Sequence, residues 1–182
     1  DQRLAKNDFD CIQSWITGYD VDEGDASLSF LEGSHKFHGD FSSDFNMKDH
    51  KDFKKDWMKL NEEQVQYFID KGCKRRCVTC KAGDMVLWDS RLMHCGKEPL
   101  KNRENKKFRN VVYICMMPRT MCSEANMRKR IKAFEELRMT NHYPYKPKLF
   151  GKYPQTYGQP LPNVVDINPP ILNELGRKLV GY

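Results

Sequence analysis

From Gly83 to Gly96 the chain reads Gly-Asp-Met-Val-Leu-Trp-Asp-Ser-Arg-Leu-Met-His-Cys-Gly, and this stretch admits few folds. Gly83-Asp84 is a turn signal. Met85 to Trp88 is an apolar run too short for a helix and suited to a buried strand, and Asp89-Ser90-Arg91 breaks it. Leu92-Met93 lead into His94, and a glycine follows almost at once. The pattern predicts a histidine closing a strand beside a tight turn, where a rigid edge can project it into a pocket. Further on, Arg109 opens the most strand-like segment of the chain, Arg-Asn-Val-Val-Tyr-Ile-Cys-Met-Met-Pro, which Pro118 closes.

The remaining segments fit around these two. Residues 9–21 are rich in β-branched and aromatic types, with Gln13, Trp15 and Thr17 on one face of a predicted strand. Asp22-Glu23-Gly24-Asp25 is a turn, residues 27–31 alternate as a half-buried strand does, and Glu32-Gly33-Ser34-His35 leaves the sheet. Residues 36–59 are polar, charged and aromatic, and read as an insertion of loop and short helix. Asn61-Glu62-Glu63-Gln64 starts a helix with a capping box; Val65, Phe68 and Ile69 mark its apolar face, and Gly72 ends it. Residues 75–80 read as another strand. Ser123 caps a helix expected to reach Met139, with Met127, Ile131 and Phe134 on its buried face. From Asn141 the tail accumulates Pro, Gly and Tyr without periodicity, and is expected to pack as extended coil that buries Leu149, Leu161, Val164 and Ile171.

Several short strands, with helices confined to an insertion and to the C-terminal end, predict a mainly β fold with peripheral helices. The architecture that suits this best is a double-stranded β-helix, a cupin-like jelly roll. With no repeat and no flexible linker, the 182 residues are expected to form one domain. No apolar run is long enough to span a membrane, and the first residues lack a signal-peptide core. The sequence starts at Asp1 without a methionine, which reads as a domain missing its N-terminal part. Net charge is +6, but acids interleave most of the cationic runs, so a solvated surface is favoured over a nucleic-acid partner. The 7 cysteines, an odd number in a chain of this size, argue against a disulfide framework and for a reducing, cytoplasmic compartment.

Four motifs in order carry a family resemblance: Gln13-Ser14-Trp15, then Asp20-Val21-Asp22-Glu23-Gly24-Asp25, then Glu32-Gly33-Ser34-His35, then Trp88-Asp89-Ser90-Arg91-Leu92-Met93-His94. With Arg109 behind them, about half of the chain resembles the phytanoyl-CoA dioxygenase-like family of Fe(II)/2-oxoglutarate oxygenases. The resemblance implies an iron held by two histidines and one carboxylate on one face, with the other positions open to 2-oxoglutarate and dioxygen. His94 matches the distal histidine. Asp1 stands where the family's aspartate does, and its partner histidine falls two positions before this sequence begins. Arg109 matches the arginine that receives the far carboxylate of 2-oxoglutarate, a task suited to a planar bidentate guanidinium. Gln13 and Trp15 either line the cosubstrate pocket or pack the sheet; Thr17 is a weaker candidate. The implied reaction is hydroxylation of an unidentified small-molecule or macromolecular substrate.

Other readings stand beside this one. His38-Gly39-Asp40 and His50-Lys51-Asp52 are complete His-x-Asp triplets inside the chain, although both follow the Gly-Ser-His motif rather than precede it. Arg91 either meets a substrate anion or, the preferred reading, braces the turn. His35 reads as a loop-fixing residue. Cys73, Cys77 and Cys80, with Cys95, lack the second close pair that a zinc site asks for, and are read as buried or free thiols. Two non-enzymatic functions remain as alternatives: a catalytically inactive jelly-roll binding or structural protein, and a basic nucleic-acid-binding module.

Overall fold

A computed structural model describes residues 4–55, 57–103, 107–152 and 168–182. Its strands form two antiparallel sheets of three. β1 (Ile12–Thr17) lies between β4 (Met85–Asp89) and β6 (Val111–Met116); β2 (Ser27–Glu32) lies between β3 (Lys74–Cys77) and β5 (His94–Lys97). The predicted strands are thus all present. β1 sets Gln13 opposite both Trp88 and Cys115, and Trp15 opposite both Val86 and Tyr113. Alternation therefore gathers Gln13, Trp15, Thr17 and Trp88 on one face.

That face is the inner one. Trp15, Val21, Leu28 and Trp88 form a buried cluster, with Val78, Val86, Leu92 and Val111 packed against it. β2 supplies Leu28 to this cluster and Leu31 to a second one, as opposite parity on a strand requires. The second cluster joins Leu31 to Phe41, Met47, Phe68 and Cys73, beneath the helices. β2 is thus buried on both faces.

The insertion folds as expected into short helical pieces: a 3₁₀ turn at Ser34–Phe37, α1 (His38–Asp44) and a second 3₁₀ turn at Met47–Asp49. α2 (Glu62–Asp70) carries the predicted capping box: the Gln64 backbone N–H donates to the Asn61 side chain at 2.8 Å, and the Asn61 N–H to the Gln64 side chain at 3.0 Å. Phe68 is buried, but Ile69, 40% exposed, is not on the packed face. Phe41 is the centre of this region, with its ring 5.0 Å from Phe45 and 5.1 Å from Phe68.

The chain falls into two compact units, Asp1–Met116 and Met117–Tyr182. In the second, Ser123 caps α3 (Glu124–Glu135), which stops short of Met139. An unpredicted helix, α4 (Glu174–Val180), is capped by Asn173, and Arg130 donates to the Val180 carbonyl near its end. Gly176 in its interior is a helix-weakening residue that hid it in the sequence. Ile171 is fully exposed, contrary to the burial expected of it. Leu161 and Val164 lie outside the described residues. Among the described residues no helix is long and apolar enough to cross a membrane.

Candidate active site

The residues 89–94 carry the chain from one sheet to the other. β4 ends at Asp89, whose carboxylate accepts from the Arg91 backbone N–H at 2.8 Å and from its Nε at 3.0 Å and Nη2 at 2.7 Å. Arg91 also donates to the Asn7 carbonyl at 2.8 Å and lies over the Phe9 ring. Arg91 therefore braces the turn. Burial opposes ionisation of Asp89, but the hydrogen bonds and charge of Arg91 outweigh it and hold the carboxyl below its usual range.

Beyond the turn the Leu31 N–H donates to the Met93 carbonyl at 2.9 Å, and the Met93 N–H to Ser34 Oγ at 2.9 Å. These bonds start the new ladder at Met93, so His94 opens β5 instead of closing a strand. Gly33, at φ 84°, takes the left-handed conformation that turns the chain into Ser34. The loop-fixing tie predicted for His35 is thus made by its neighbour Ser34.

His94 is half-buried, and its Nδ1 lies 2.7 Å from the Leu92 carbonyl. A carbonyl only accepts, so Nδ1 carries a proton, and in the neutral ring Nε2 is the nitrogen that keeps the lone pair. The ring packs edge-on to Trp88 at 5.4 Å. Trp88 Nε1 donates to Gln13 Oε1 at 3.0 Å in a buried bond. Two residues along the same face, Trp15 is 0% exposed, and its Nε1 has no hydrogen-bond partner among the described residues. The Arg109 guanidinium sits 5.7 Å from the Trp15 ring and 5.6 Å from that of Tyr113, and donates to the Tyr113 hydroxyl at 3.0 Å. His94, Trp88, Gln13, Trp15 and Arg109 therefore form one continuous run of side chains.

His94 and Arg109 do not, however, line one cavity, as the sequence led us to expect. His94 borders a cavity of about 590 Å³ walled by residues of β2, β5 and the insertion. Arg109 borders a separate shallow recess with Thr17, Asp25 and Phe108. The cause is local: β6 begins at Val111, and the Asn110 carbonyl is taken by the Gly18 N–H at 2.8 Å, which leaves Arg109 exposed just outside the ladder.

Asp1 lies outside the described residues. The alternative triplets do not form a ligand pair. His38 is buried on α1 while Asp40 is exposed, because positions two apart on a helix point to nearly opposite sides. His50 Nδ1 accepts from the Asp52 backbone N–H at 3.2 Å, and Lys55, hydrogen-bonded to Asp52, holds that carboxyl below its usual range. Among the described residues no three His, Cys, Asp or Glu gather as a metal site. Cys77 and Cys95 flank Ser29 from opposite strands, too widely separated to share a zinc ion.

Sequence reasoning missed several supports of this face. Asp25 is buried, accepts from the Asp22 N–H at 2.7 Å and pairs with Arg103, so the Asp-rich motif holds a turn rather than a ligand. The Cys11 and Cys115 thiols interact with each other; that interaction, with burial, pushes Cys11 up, and the same interaction holds Cys115 down against the opposing effect of burial. Only the Gln13–Cys115 register, invisible before the strands are paired, could have revealed them.

Residues 1–103 match the family model described as phytanoyl-CoA dioxygenase (PhyH). Among curated proteins, Ava biosynthesis cluster protein O of Aspergillus versicolor is 27% identical over 142 residues, covering 75% of this chain and 44% of that protein. The chain thus spans less than half the length of that relative. No solved structure matches it. A match over more than half of the sequence, containing the His94 turn and the strand that carries Gln13 and Trp15, places the chain in the phytanoyl-CoA dioxygenase family.

Proposed function

We propose that this chain is the core of an Fe(II)- and 2-oxoglutarate-dependent dioxygenase that hydroxylates its substrate, folded as a single cupin-like jelly-roll domain. The strand order supports the fold. The chain crosses between the sheets after β1, β3, β4 and β5, as the winding of a double-stranded β-helix requires.

The observation that carries the function is the buried, unanswered Trp15 Nε1 beneath the Arg109 guanidinium. An unpaired buried donor costs about 1–3 kcal/mol. A carboxylate received there would satisfy the indole and meet the guanidinium charge together. Arg109 and Trp15 are the receivers of the far carboxylate of 2-oxoglutarate in this reading; since Arg109 and His94 border separate recesses, the strand edge that carries Arg109 has to close toward His94 for one cosubstrate to reach both. Gln13, engaged with Trp88, positions the wall rather than touching the cosubstrate. His94 suits Fe(II), because its Nδ1–H is tied to a carbonyl and its Nε2 lone pair is oriented, the arrangement that metal-bound imidazoles adopt. Asp1 is the carboxylate ligand of this reading, with a histidine two positions upstream as the third. Bound iron and cosubstrate supply the oxidising chemistry: one substrate C–H, dioxygen and 2-oxoglutarate give the alcohol, succinate and carbon dioxide. The protein's part is to fix the His94 tautomer, to hold the cosubstrate by its far end and, through Trp88, to keep water from the inner face. The 7 free thiols support a reducing compartment.

The test is iron-dependent succinate formation from 2-oxoglutarate in air, by protein that includes the residues upstream of Asp1. Succinate is expected even without substrate, at a slow uncoupled rate. No iron-dependent succinate with any candidate substrate would count against the assignment.

A further inference from the structure

The net charge is unevenly divided between the two units. Residues 117–182 hold 11 of the 31 Lys and Arg but only 5 of the 25 Asp and Glu. They therefore carry the whole +6, and residues 1–116 are neutral overall. On α3 the charges are partly answered, Arg128 by Glu124 and Lys132 by Glu136. Lys129, Lys146, Lys148 and Lys152 are exposed and have no ion-pair partner among the described residues.

The same unit bares an apolar ridge. α4 packs against α3, half-burying Leu172, Gly176 and Val180, and Gly181 lies so close to Met127 that no side chain would fit there. Two arginines fix its C-terminal end. Arg119 donates to the Lys178 carbonyl at 3.3 Å, and Arg130 to the Val180 carbonyl at 3.3 Å and to the Leu179 carbonyl. Leu175 and Leu179, one turn apart, lie off the packed side and are 63% and 57% exposed. Ile171, four positions before Leu175, is fully exposed. Bare aliphatic side chains held at regular spacing mark a contact surface. Nucleic acid would answer the lysines but not the aliphatic ridge. An acidic bilayer answers both, since its headgroups meet the cations and its acyl boundary takes the leucines.

We infer that the second unit docks on an anionic lipid surface, with Ile171, Leu175 and Leu179 entering the headgroup–acyl boundary and lysines of the same unit meeting the headgroup charge. α4, a helix of 7 residues, lies along that surface and is too short to cross it. The surface goes beyond the oxygenase reading and uses none of the residues at the His94 or Arg109 ends.

The test is co-sedimentation of the protein, residues upstream of Asp1 included, with vesicles of phosphatidylcholine alone or with about one-third phosphatidylserine. The upstream residues matter because a segment that covered the ridge would leave nothing to insert. The phosphatidylserine vesicles should bind about tenfold tighter than phosphatidylcholine alone, and the advantage should fade as salt rises. Leu175→Ser/Leu179→Ser should weaken that binding about tenfold, because each change removes apolar surface that the bilayer would bury. Ile171→Ser, at a fully exposed position before the helix, should weaken it severalfold with an unchanged melting temperature, which separates lost contact from lost fold. Lys146→Glu/Lys148→Glu should cut the preference for phosphatidylserine. No binding to the phosphatidylserine vesicles, equal binding to both compositions, or full binding by the leucine and isoleucine variants overturns the inference. Salt-dependent binding of a single-stranded oligonucleotide with no vesicle binding also overturns it, and assigns the charge to nucleic acid.

Discussion

The two ends of the inner face are built differently. At the His94 end the support is held at several points: the ring is tied to the Leu92 carbonyl, packed on Trp88, and carried by a turn in which Asp89 and Arg91 share four hydrogen bonds. At the other end Arg109 is exposed and held by one hydrogen bond to Tyr113 and two ring contacts, beside a buried Trp15 donor that has no acceptor among the described residues. The histidine end is preorganised; the arginine end is waiting for a partner. A metal ligand gains from rigidity because misplacement by an ångström is costly. A cosubstrate anchor gains from an accessible cation that closes on an anion.

The difference can be broken from either side. The largest effect is expected for His94→Ala, which should cost roughly 100-fold or more in iron affinity, since losing even an outer partner of a metal ligand costs 10–100-fold. Circular dichroism and the melting temperature should stay close to wild type, because a half-buried rim histidine contributes little packing. Unfolding of this variant would make His94 structural instead.

Next is Arg109→Lys. Charge is kept and the fork is lost, so the apparent KM for 2-oxoglutarate should rise about tenfold to a hundredfold, the worth of one charge-assisted hydrogen bond, with iron affinity unchanged. Equal rises in both constants would mean that the arginine end is not separate from the metal end.

Trp15→Phe removes the indole N–H and keeps an aromatic ring under Arg109. The net value of a single hydrogen bond, about 1 kcal/mol, predicts roughly fivefold weaker 2-oxoglutarate binding by calorimetry. If Trp15 only packs the sheet, stability falls from the smaller ring and the cosubstrate affinity does not move.

The smallest effect concerns pH. Arg91 holds the folded-state pKa of Asp89 below the unfolded value, so its stabilisation is present above about pH 3.9 and is lost as pH falls through the folded pKa. The His94 turn should therefore loosen only in acid, visible as a change in Trp88 emission with an acid midpoint. Asp89→Asn should flatten that limb. A transition near neutral pH would assign it to another group.

Much of this face could be read before the strands were paired. Alternation placed Gln13, Trp15 and Thr17 on one side of β1, and the apolar run before Asp89 located β4. The Asn61 capping box was legible because it is local. What escaped depended on pairing. That His94 opens a strand follows from the hydrogen bond between Leu31 and Met93, and that Arg109 falls outside the ladder follows from where Gly18 meets Asn110. The Ser34 tie was misassigned to His35 because sequence shows a motif but not which hydroxyl faces a distant N–H. α4 was hidden by Gly176, whose weak helix propensity is overridden by the Asn173 cap.

The central claim is that 2-oxoglutarate is received between Arg109 and the Trp15 indole. The most direct measurement is a ¹⁵N spectrum of the indole N–H groups of the 3 tryptophans, with Zn(II) in place of iron, as 2-oxoglutarate is added. The Trp15 resonance should move downfield as its orphan donor gains a carboxylate, while Trp57 stays in place, and Arg109→Lys should abolish the shift. A titration in which 2-oxoglutarate binds and the Trp15 resonance does not move would contradict that claim.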